Sequence, residues 1–151
     1  MVTRSLRQAR KAVLRHGERG FTLVEIIVVI TIIALIMTLV GPRVLNYLSE
    51  SKVKAAKIQI ESLASALDLY FLDTGQFPSN AEGLSALVQR PGSAGWNGPY
   101  LRGTTVPNDP WGRPYIYRAP GSQSSYDIIS YGSDGQEGGS GVAADIISSA
   151  R

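Results

Sequence analysis

The carboxylate of Glu25 stands out because it lies inside a long run of apolar side chains. The run covers residues 21–40 and reads FTLVEIIVVITIIALIMTLV. An acidic residue at that depth in a bilayer costs roughly 2.5–3.5 kcal/mol, so its presence indicates a function. If the chain were cut between Gly20 and Phe21, the new α-amino group would lie one helical turn from Glu25. The amine could then pair with the Glu25 carboxylate of its own chain or of a neighbour, which favours a role in assembly.

A second set of acidic residues lies in a glycine-rich segment near the C-terminus. Residues 132–141 read GSDGQEGGSG and include Asp134 and Glu137, and Asp145 follows shortly after. Glycines permit a chain reversal that turns carbonyls inward, and Ca²⁺ binds about six to eight oxygens from such carbonyls and from carboxylates. The spacing is not that of an EF-hand loop. On the residues alone, an ordinary flexible turn is a better interpretation of this segment than a calcium site.

The sequence gives little support for cysteine, histidine or enzymatic chemistry. The 151 residues contain no cysteine, and the single histidine, His16, precedes the apolar run. Disulfides and thiolate sites are therefore excluded, and removal of a leader would also exclude a histidine-based triad or zinc site. Since no nucleophile and base stand in a recognisable arrangement, we expect the protein not to be an enzyme.

The positive charge is concentrated at the N-terminus. Residues 1–20 carry six basic side chains against Glu18, whereas the remainder has nine basic and eleven acidic residues and a net charge of −2. Nucleic-acid binding therefore loses its main support. Basic residues before an apolar segment predict a cytoplasmic N-terminus and an exported C-terminal part.

The apolar segment is predicted to cross a membrane once. A helix of about 20 residues is about 30 Å long, which matches the hydrocarbon core. The segment exceeds the usual signal-peptide core of about 7–15 residues, and no small-residue cleavage site follows it. The sequence thus predicts a basic leader over residues 1–20, a transmembrane and assembly helix over 21–41, and an exported domain over 42–151.

The elements that position these residues begin with a long helix. Apolar spacings of three and four predict that it runs from about Thr22 to Thr74, with Gly75 as a left-handed cap. Gly41 and Pro42 predict a kink, because an interior proline loses a hydrogen bond and clashes with the preceding turn. The predicted apolar stripe consists of Val53, Ala56, Ile60, Leu63, Leu67 and Tyr70.

The rest of the chain predicts a small α+β domain. Ser79 and Glu82 have capping-box spacing and predict a short helix to about Gln89. Residues 115–117 and 126–131 have β propensity and predict an antiparallel hairpin that packs on the helix. The intervening residues 91–113 predict a structured loop, anchored by Trp96, Tyr100 and Trp111.

Residues 20–25, Gly-Phe-Thr-Leu-Val-Glu, resemble the processing and assembly signature of type IV pilin-like proteins. Further segments are similar to one branch, the major pseudopilins of type II secretion systems. They are YFLDTGQFP at residues 70–78, EGLSALV at 82–88, GPYL at 98–101, DPWGRPY at 109–115, and residues 126–146.

The resemblance implies a pilin-like fold, in which a long kinked helix packs on a small antiparallel sheet. It implies cleavage after Gly20 by a prepilin peptidase, N-methylation of Phe21, and anchoring in the inner membrane with a periplasmic C-terminal domain. It further implies that copies polymerise through Glu25 and Phe21, with minor pseudopilins and an inner-membrane assembly platform, into a periplasmic pseudopilus. This pseudopilus drives folded proteins through an outer-membrane channel.

The resemblance also favours the calcium interpretation of the glycine-rich segment. It implies side-chain ligands at Asp134 and Asp145 and carbonyl ligands at Tyr131 and Gln136. The participation of Glu137 stays open, since the length of the loop before Asp145 varies in the family.

Two other functions are compatible with parts of the sequence. A type IV pilin for adhesion, motility or DNA uptake would share residues 20–25 but not the DPWG segment or the C-terminal segment. A membrane-anchored calcium-binding module that never polymerises is the second, and Glu25 argues against it because an anchor gains nothing from a buried acid.

Overall fold

A computed structural model describes residues 20–92 and 94–148. Helix α1 is Leu23–Thr74, and two 3-10 helices are Gly83–Leu87 and Gly141–Ala143. The strands are β1 Ile116–Arg118, β2 Asp127–Ser130 and β3 Ile146–Ile147. The described residues up to Val40 belong to one compact unit and those from Gly41 to a second. The predicted leader lies outside the described residues, apart from Gly20.

In the first unit, α1 is apolar on every face apart from Glu25, Thr31 and Thr38. Every residue from 21 to 40 is exposed, including all the large aliphatic side chains. A helix that is apolar on all sides is typical of a membrane span. Within the described part of the chain, α1 is the one helix long and apolar enough to cross a membrane.

In the second unit, one face of α1 supplies much of the core. Tyr70 and Leu67 are fully buried, and burying an apolar side chain of this size stabilises the fold by roughly 1.5–3 kcal/mol. The buried residues of α1 are Ala56, Ile60, Leu63, Ala66, Leu67 and Tyr70, and Val53 packs against them. The predicted stripe is confirmed.

The end of α1 is also confirmed. Gly75 has φ +76°, and its N–H donates to the carbonyl of Phe71 at 2.8 Å. Glycine adopts this left-handed conformation without steric cost, and a helix cannot continue through it.

Helix α1 includes Gly41 and Pro42, and its helical conformation passes through both residues. The proline ring removes one backbone donor from this turn, so the turn is intrinsically weaker than its neighbours. The kink predicted at Gly41 and Pro42 stays a prediction, and we expect the residues just before Pro42 to loosen when subunits assemble into a filament.

The sheet packs on the buried face of α1. β1 and β2 form the antiparallel hairpin that the sequence predicted, and Tyr117 lies opposite Ile128. β3 pairs antiparallel with the other edge of β2, with Ile146 opposite Ser130, and was not predicted. Ile128 and Ile146 belong to the same buried cluster as the apolar residues of α1. A two-residue strand is too short to show a period-two pattern.

The connection from α1 to the sheet begins with the predicted capping box. The N–H of Ser79 donates to Glu82 Oε2 at 2.8 Å, and the N–H of Glu82 donates to Ser79 Oγ at 3.3 Å. The helix that follows is a 3-10 helix and ends at Leu87, somewhat before the predicted end.

The structured loop provides the reason for this early end. The Trp96 indole N–H donates to the Ala86 carbonyl at 2.8 Å, and the Tyr100 N–H donates to the Leu87 carbonyl at 2.8 Å. Both carbonyls are therefore engaged by the loop rather than by a continuing helix. Trp96, Tyr100 and Trp111 all pack against the core, which confirms them as anchors.

Candidate functional site

The N-terminal motif caps α1. Thr22 directly precedes the helix, and its Oγ1 accepts a hydrogen bond from the N–H of Glu25 at 3.2 Å. Glu25 lies in the first helical turn, where the helix dipole favours a negative charge. We did not predict this cap, although the Thr-x-x-Glu spacing is its usual sequence signal.

Glu25 differs from the other polar residues of the apolar segment in its contacts. The Thr31 hydroxyl donates to the Ile27 carbonyl at 2.8 Å, and the Thr38 hydroxyl donates to the Leu35 carbonyl at 2.8 Å. Among residues 20–92 and 94–148, no basic side chain forms an ion pair with the Glu25 carboxylate. This carboxylate is therefore the group of the segment that is available to a partner.

Gly20 and Phe21 precede the helix. Both residues are exposed, and 76% of the Phe21 surface is accessible. An exposed peptide bond outside regular structure is sterically open to a peptidase. Cleavage after Gly20 and methylation of Phe21 stay predictions.

The C-terminal glycine-rich loop folds back tightly on residues 143–144. Gly132 and Gly139 have φ of +54° and +84°. A Cβ atom at Gly139 would lie 2.4 Å from the carbonyl oxygen of Ala143, and one at Gly132 would lie 2.8 Å from that of Ala144. These two positions therefore require glycine both for backbone conformation and for space.

The loop places the two predicted acidic ligands in different local roles. Asp134 Oδ1 accepts the N–H of Gln136 at 3.1 Å, and Asp145 Oδ2 accepts the N–H of Gly138 at 2.9 Å. The carbonyl of Tyr131 accepts the N–H of Gly135 at 3.0 Å. The Asp145 contact closes the loop, because it joins the residue before β3 to Gly138, the first of two adjacent glycines.

One oxygen of Asp145 fits a bound cation. Asp145 Oδ1 is buried and has no hydrogen-bond partner in the described part of the chain. A buried acceptor left unsatisfied costs roughly 1–3 kcal/mol, and more when it is charged. Since the described residues gather no cluster of three or more acidic, histidine or cysteine side chains, a cation here would also depend on backbone carbonyls.

Glu137 has a different neighbour. Its Oε1 lies 3.9 Å from Nη1 of Arg118, and both side chains are at least half exposed. Arg118 Nη2 also donates to the Tyr131 hydroxyl at 3.1 Å. Glu137 is thus directed toward β1, which disfavours it as a ligand.

Sequence reasoning missed a buried polar centre beneath the loop. Asp109 is 5% exposed, and its Oδ1 accepts the N–H groups of Trp111 and Arg113 at 3.0 and 2.8 Å. Asp109 Oδ2 accepts the hydroxyl of buried Ser130 at 2.8 Å. The Asp-Pro-Trp-Gly turn signal could have located this centre, but not its link to β2.

Tyr115 lies near the same centre. Burial raises the pKa of the Tyr115 phenol to about 12, and the Asp109 carboxylate contributes to the increase. The phenol therefore stays protonated at neutral pH and donates to Gln59 Oε1. This contact connects the residue before β1 to the polar flank of α1.

An apolar N-terminal helix with a capped acidic first turn, and a helix stripe packed on a small antiparallel sheet, define a protein of the pilin-like class. The sequence matches "Prokaryotic N-terminal methylation motif" over residues 15–41. It matches "Type II secretion system (T2SS), protein G" over residues 43–149, and the chain belongs to this family.

Comparisons with individual proteins also support membership of this family. The chain is 44% identical over 137 residues to a type II secretion system core protein G of Pseudomonas aeruginosa, covering 87% of this chain and 95% of that protein. It is 42% identical over 146 residues to the core protein G of Xanthomonas campestris, covering 97% and 98%. Its fold is similar to the crystal structure of the major pseudopilin of enterohaemorrhagic Escherichia coli, with TM-score 0.59, 30% identity, and coverage of 73% and 88%.

Proposed function

We propose that this chain is the major structural subunit of the periplasmic pseudopilus of a type II secretion system. Its polymerisation drives folded proteins across the outer membrane. The observation that carries this proposal is the combination of a methylation motif at residues 15–41 with a protein G domain at 43–149. A type IV pilin would share the first feature only, so that alternative is not favoured. The role is structural and not enzymatic.

The apolar part of α1 serves as a single-pass inner-membrane anchor, with a cytoplasmic N-terminus and a periplasmic domain. A prepilin peptidase cleaves after Gly20 and methylates Phe21. The exposure of both residues supports this step. Mass spectrometry of the native protein should find methylated Phe21 as the N-terminal residue, whereas an intact leader would contradict the proposal.

Assembly uses the carboxylate of Glu25. We infer that it accepts a hydrogen bond from the α-amino group of a neighbouring Phe21, which sets register and neutralises both charges. Apolar segments in lipid have little hydrophobic reason to associate, so polar contacts and packing determine register. The partners are other copies of the chain, minor pseudopilins and the inner-membrane assembly platform.

The C-terminal loop binds calcium in this proposal. Asp134 and Asp145 supply carboxylate oxygens, and Tyr131 and Gln136 supply carbonyls. The buried, unpartnered Oδ1 of Asp145 supports the assignment. The ion would supply charge neutralisation and ordering of the loop, not chemistry on a substrate.

Deletion of the gene tests the function. Folded exoproteins should then accumulate in the periplasm, and the wild-type gene should restore their release. A variant with a bulky residue at Gly20 should not restore it, because the precursor would stay uncleaved. Normal exoprotein release with a loss of adhesion or motility would instead support the type IV pilin alternative.

A further inference from the structure

The side chain of Arg113 connects the buried Asp109 centre to the glycine-rich loop. Its Nη2 donates to the carbonyl of Gly132, and its Nε lies 3.9 Å from Asp109 Oδ2. The Asp109 side chain is 1% exposed and that of Arg113 is 37% exposed. The guanidinium therefore lies between a buried carboxylate, with which it forms an ion pair at 3.9 Å, and the loop.

Gly135 lies against the other end of the same guanidinium. A Cβ atom at Gly135 would lie 2.7 Å from Arg113 Nη1. Gly135 has φ +72°, and its N–H closes the turn onto the Tyr131 carbonyl. The planar guanidinium thus donates to Gly132 and lies close to Gly135, on either side of Asp134 in the turn formed by residues 131–135.

We propose that Arg113 is a positioning residue for this loop: it holds the turn at residues 131–135 so that Asp134 and the Tyr131 carbonyl can bind a cation together with Asp145. The inference rests on the calcium site proposed above. The loop contains five glycines in residues 132–145 and few large apolar side chains, so burial contributes little to its order. A rigid donor fork supported by a buried carboxylate supplies an alternative source of order.

The sign of the effect on calcium affinity distinguishes positioning from simple electrostatics. Arg113 carries a positive charge beside a proposed cation site. If charge were its whole contribution, removing it would raise calcium affinity, because like charges repel. If it positions the loop, removing it lowers affinity, because the ligands must then be ordered on binding.

Arg113→Ala is a selective substitution. It deletes the guanidinium but keeps the Arg113 N–H that donates to Asp109 Oδ1 at 2.8 Å, so the Asp-Pro-Trp-Gly turn retains its backbone contacts. Arg113→Lys keeps the charge but cannot form the two-ended contact, and it serves as a second variant if the alanine protein folds poorly. Arg90→Ala, at an exposed arginine, is the matched control.

The experiment uses the full mature chain in detergent, with calcium titrated by calorimetry and amide exchange followed in a chelator. Arg113→Ala should weaken calcium binding at least tenfold. It should also speed exchange of the Ser133 and Gly135 amides, which donate within the loop at 3.0 Å each. Arg113→Lys should show a smaller loss, and Arg90→Ala none. Unchanged or higher calcium affinity in Arg113→Ala would overturn the inference.

Different results would contradict the proposed calcium site and the proposed role of Arg113. If the unmutated chain binds no calcium, the proposed site is wrong, and the ligand-positioning role of Arg113 is wrong with it. Amide exchange of the unmutated chain and of Arg113→Ala, measured in a chelator, then still shows whether Arg113 orders the loop. If the unmutated chain binds calcium and exchange is unaffected by Arg113→Ala, the site stands and the inference about Arg113 is overturned.

Discussion

Glu25 and the loop glycines have different purposes: Glu25 is available to a neighbouring subunit, whereas the glycines shape the backbone of the single chain. The carboxylate of Glu25 has no ion-pair partner in the described part of the chain, whereas the threonines of its segment bond to their own helix. The loop glycines adopt left-handed conformations, and Gly132 and Gly139 leave no room for a Cβ atom beside the backbone of residues 143–144. Substitutions at these positions therefore separate assembly from stability.

Glu25→Ala should insert into the membrane at least as well as the wild-type chain, because it removes a charge from the bilayer. It should nevertheless fail to form filaments, which electron microscopy of overproducing cells measures. Thr31→Ala is the control and should assemble normally, since the Thr31 hydroxyl is already satisfied by the Ile27 carbonyl. Filaments of normal length and number from Glu25→Ala would show that the pairing is dispensable.

Gly139→Ala should destabilise the C-terminal loop by about 1–3 kcal/mol, the usual cost of a strained backbone conformation. The added methyl group would meet the Ala143 carbonyl oxygen at 2.4 Å, and the residue has φ +84°. Gly92→Ala is the matched control, because a Cβ atom added at Gly92 would meet no atom within 4 Å and the φ of Gly92 is not positive. Chemical denaturation measures both variants, and equal stability of the two would contradict the geometry.

At the scale of elements, the sequence was sufficient to predict those that show a long periodic pattern of apolar residues or a local sequence signal. The stripe from Ala56 to Tyr70 and the glycine cap follow from helical periodicity and from backbone sterics, so both were predictable. β3 was not predictable, because its pairing with β2 depends on contacts between residues that are distant in the sequence. Arg113 was missed for the same reason, since its contact with Gly132 exists only after the loop has folded back.

The turn between β1 and β2 makes a pH-dependent contribution through Asp127. Its Oδ2 accepts the N–H of Ser122 at 2.7 Å, and its Oδ1 accepts the Ser124 hydroxyl at 3.2 Å. The hydrogen bond from Ser122 is the main reason that the pKa of Asp127 lies below its ordinary value, although burial opposes the shift. The unfolded chain therefore binds this proton more readily than the folded one.

The resulting stabilisation is complete above the unfolded pKa of about 4 and is lost as the pH falls through the folded pKa. Asp127→Asn should lower the free energy of unfolding near neutral pH, and its deficit should shrink in acid. Denaturant titrations at about pH 7 and about pH 3 measure the difference. Glu50→Gln, at an exposed position of α1, should show no such deficit. A deficit for Asp127→Asn that is the same at both pH values would exclude the ionised form as the cause.

At the scale of the whole molecule, the C-terminal loop is joined to the last strand of the sheet. β3 has two residues, and Asp145 directly precedes it. The contact from the Gly138 N–H to Asp145 ties the loop to this strand. Order in the loop is therefore linked to completion of the three-stranded sheet.

A chelator should lower the melting temperature of the mature chain in detergent. A ligand that binds only the folded state adds about 2.7 kcal/mol at a hundredfold excess over Kd. Asp134→Ala should abolish the response to the chelator, whereas Glu137→Gln should keep it, because Glu137 faces Arg118. If the chelator leaves the melting temperature of the unmutated chain unchanged, the calcium assignment must be withdrawn.

The threonine contacts within the apolar helix have a consequence for filament growth. Because the hydroxyls of Thr31 and Thr38 already donate to carbonyls of their own helix, Glu25 is the polar side chain of this part of the helix that is left to interact with a neighbouring subunit. Docking that neutralises the Glu25 carboxylate would recover at most roughly 2.5–3.5 kcal/mol, the cost of a charge at the bilayer centre, which corresponds to about a hundredfold in an equilibrium constant. The critical concentration of free subunits should therefore be lower, by up to about a hundredfold, than for the same helix with no neutralising contact. A sparse pool of subunits in the membrane can then sustain elongation.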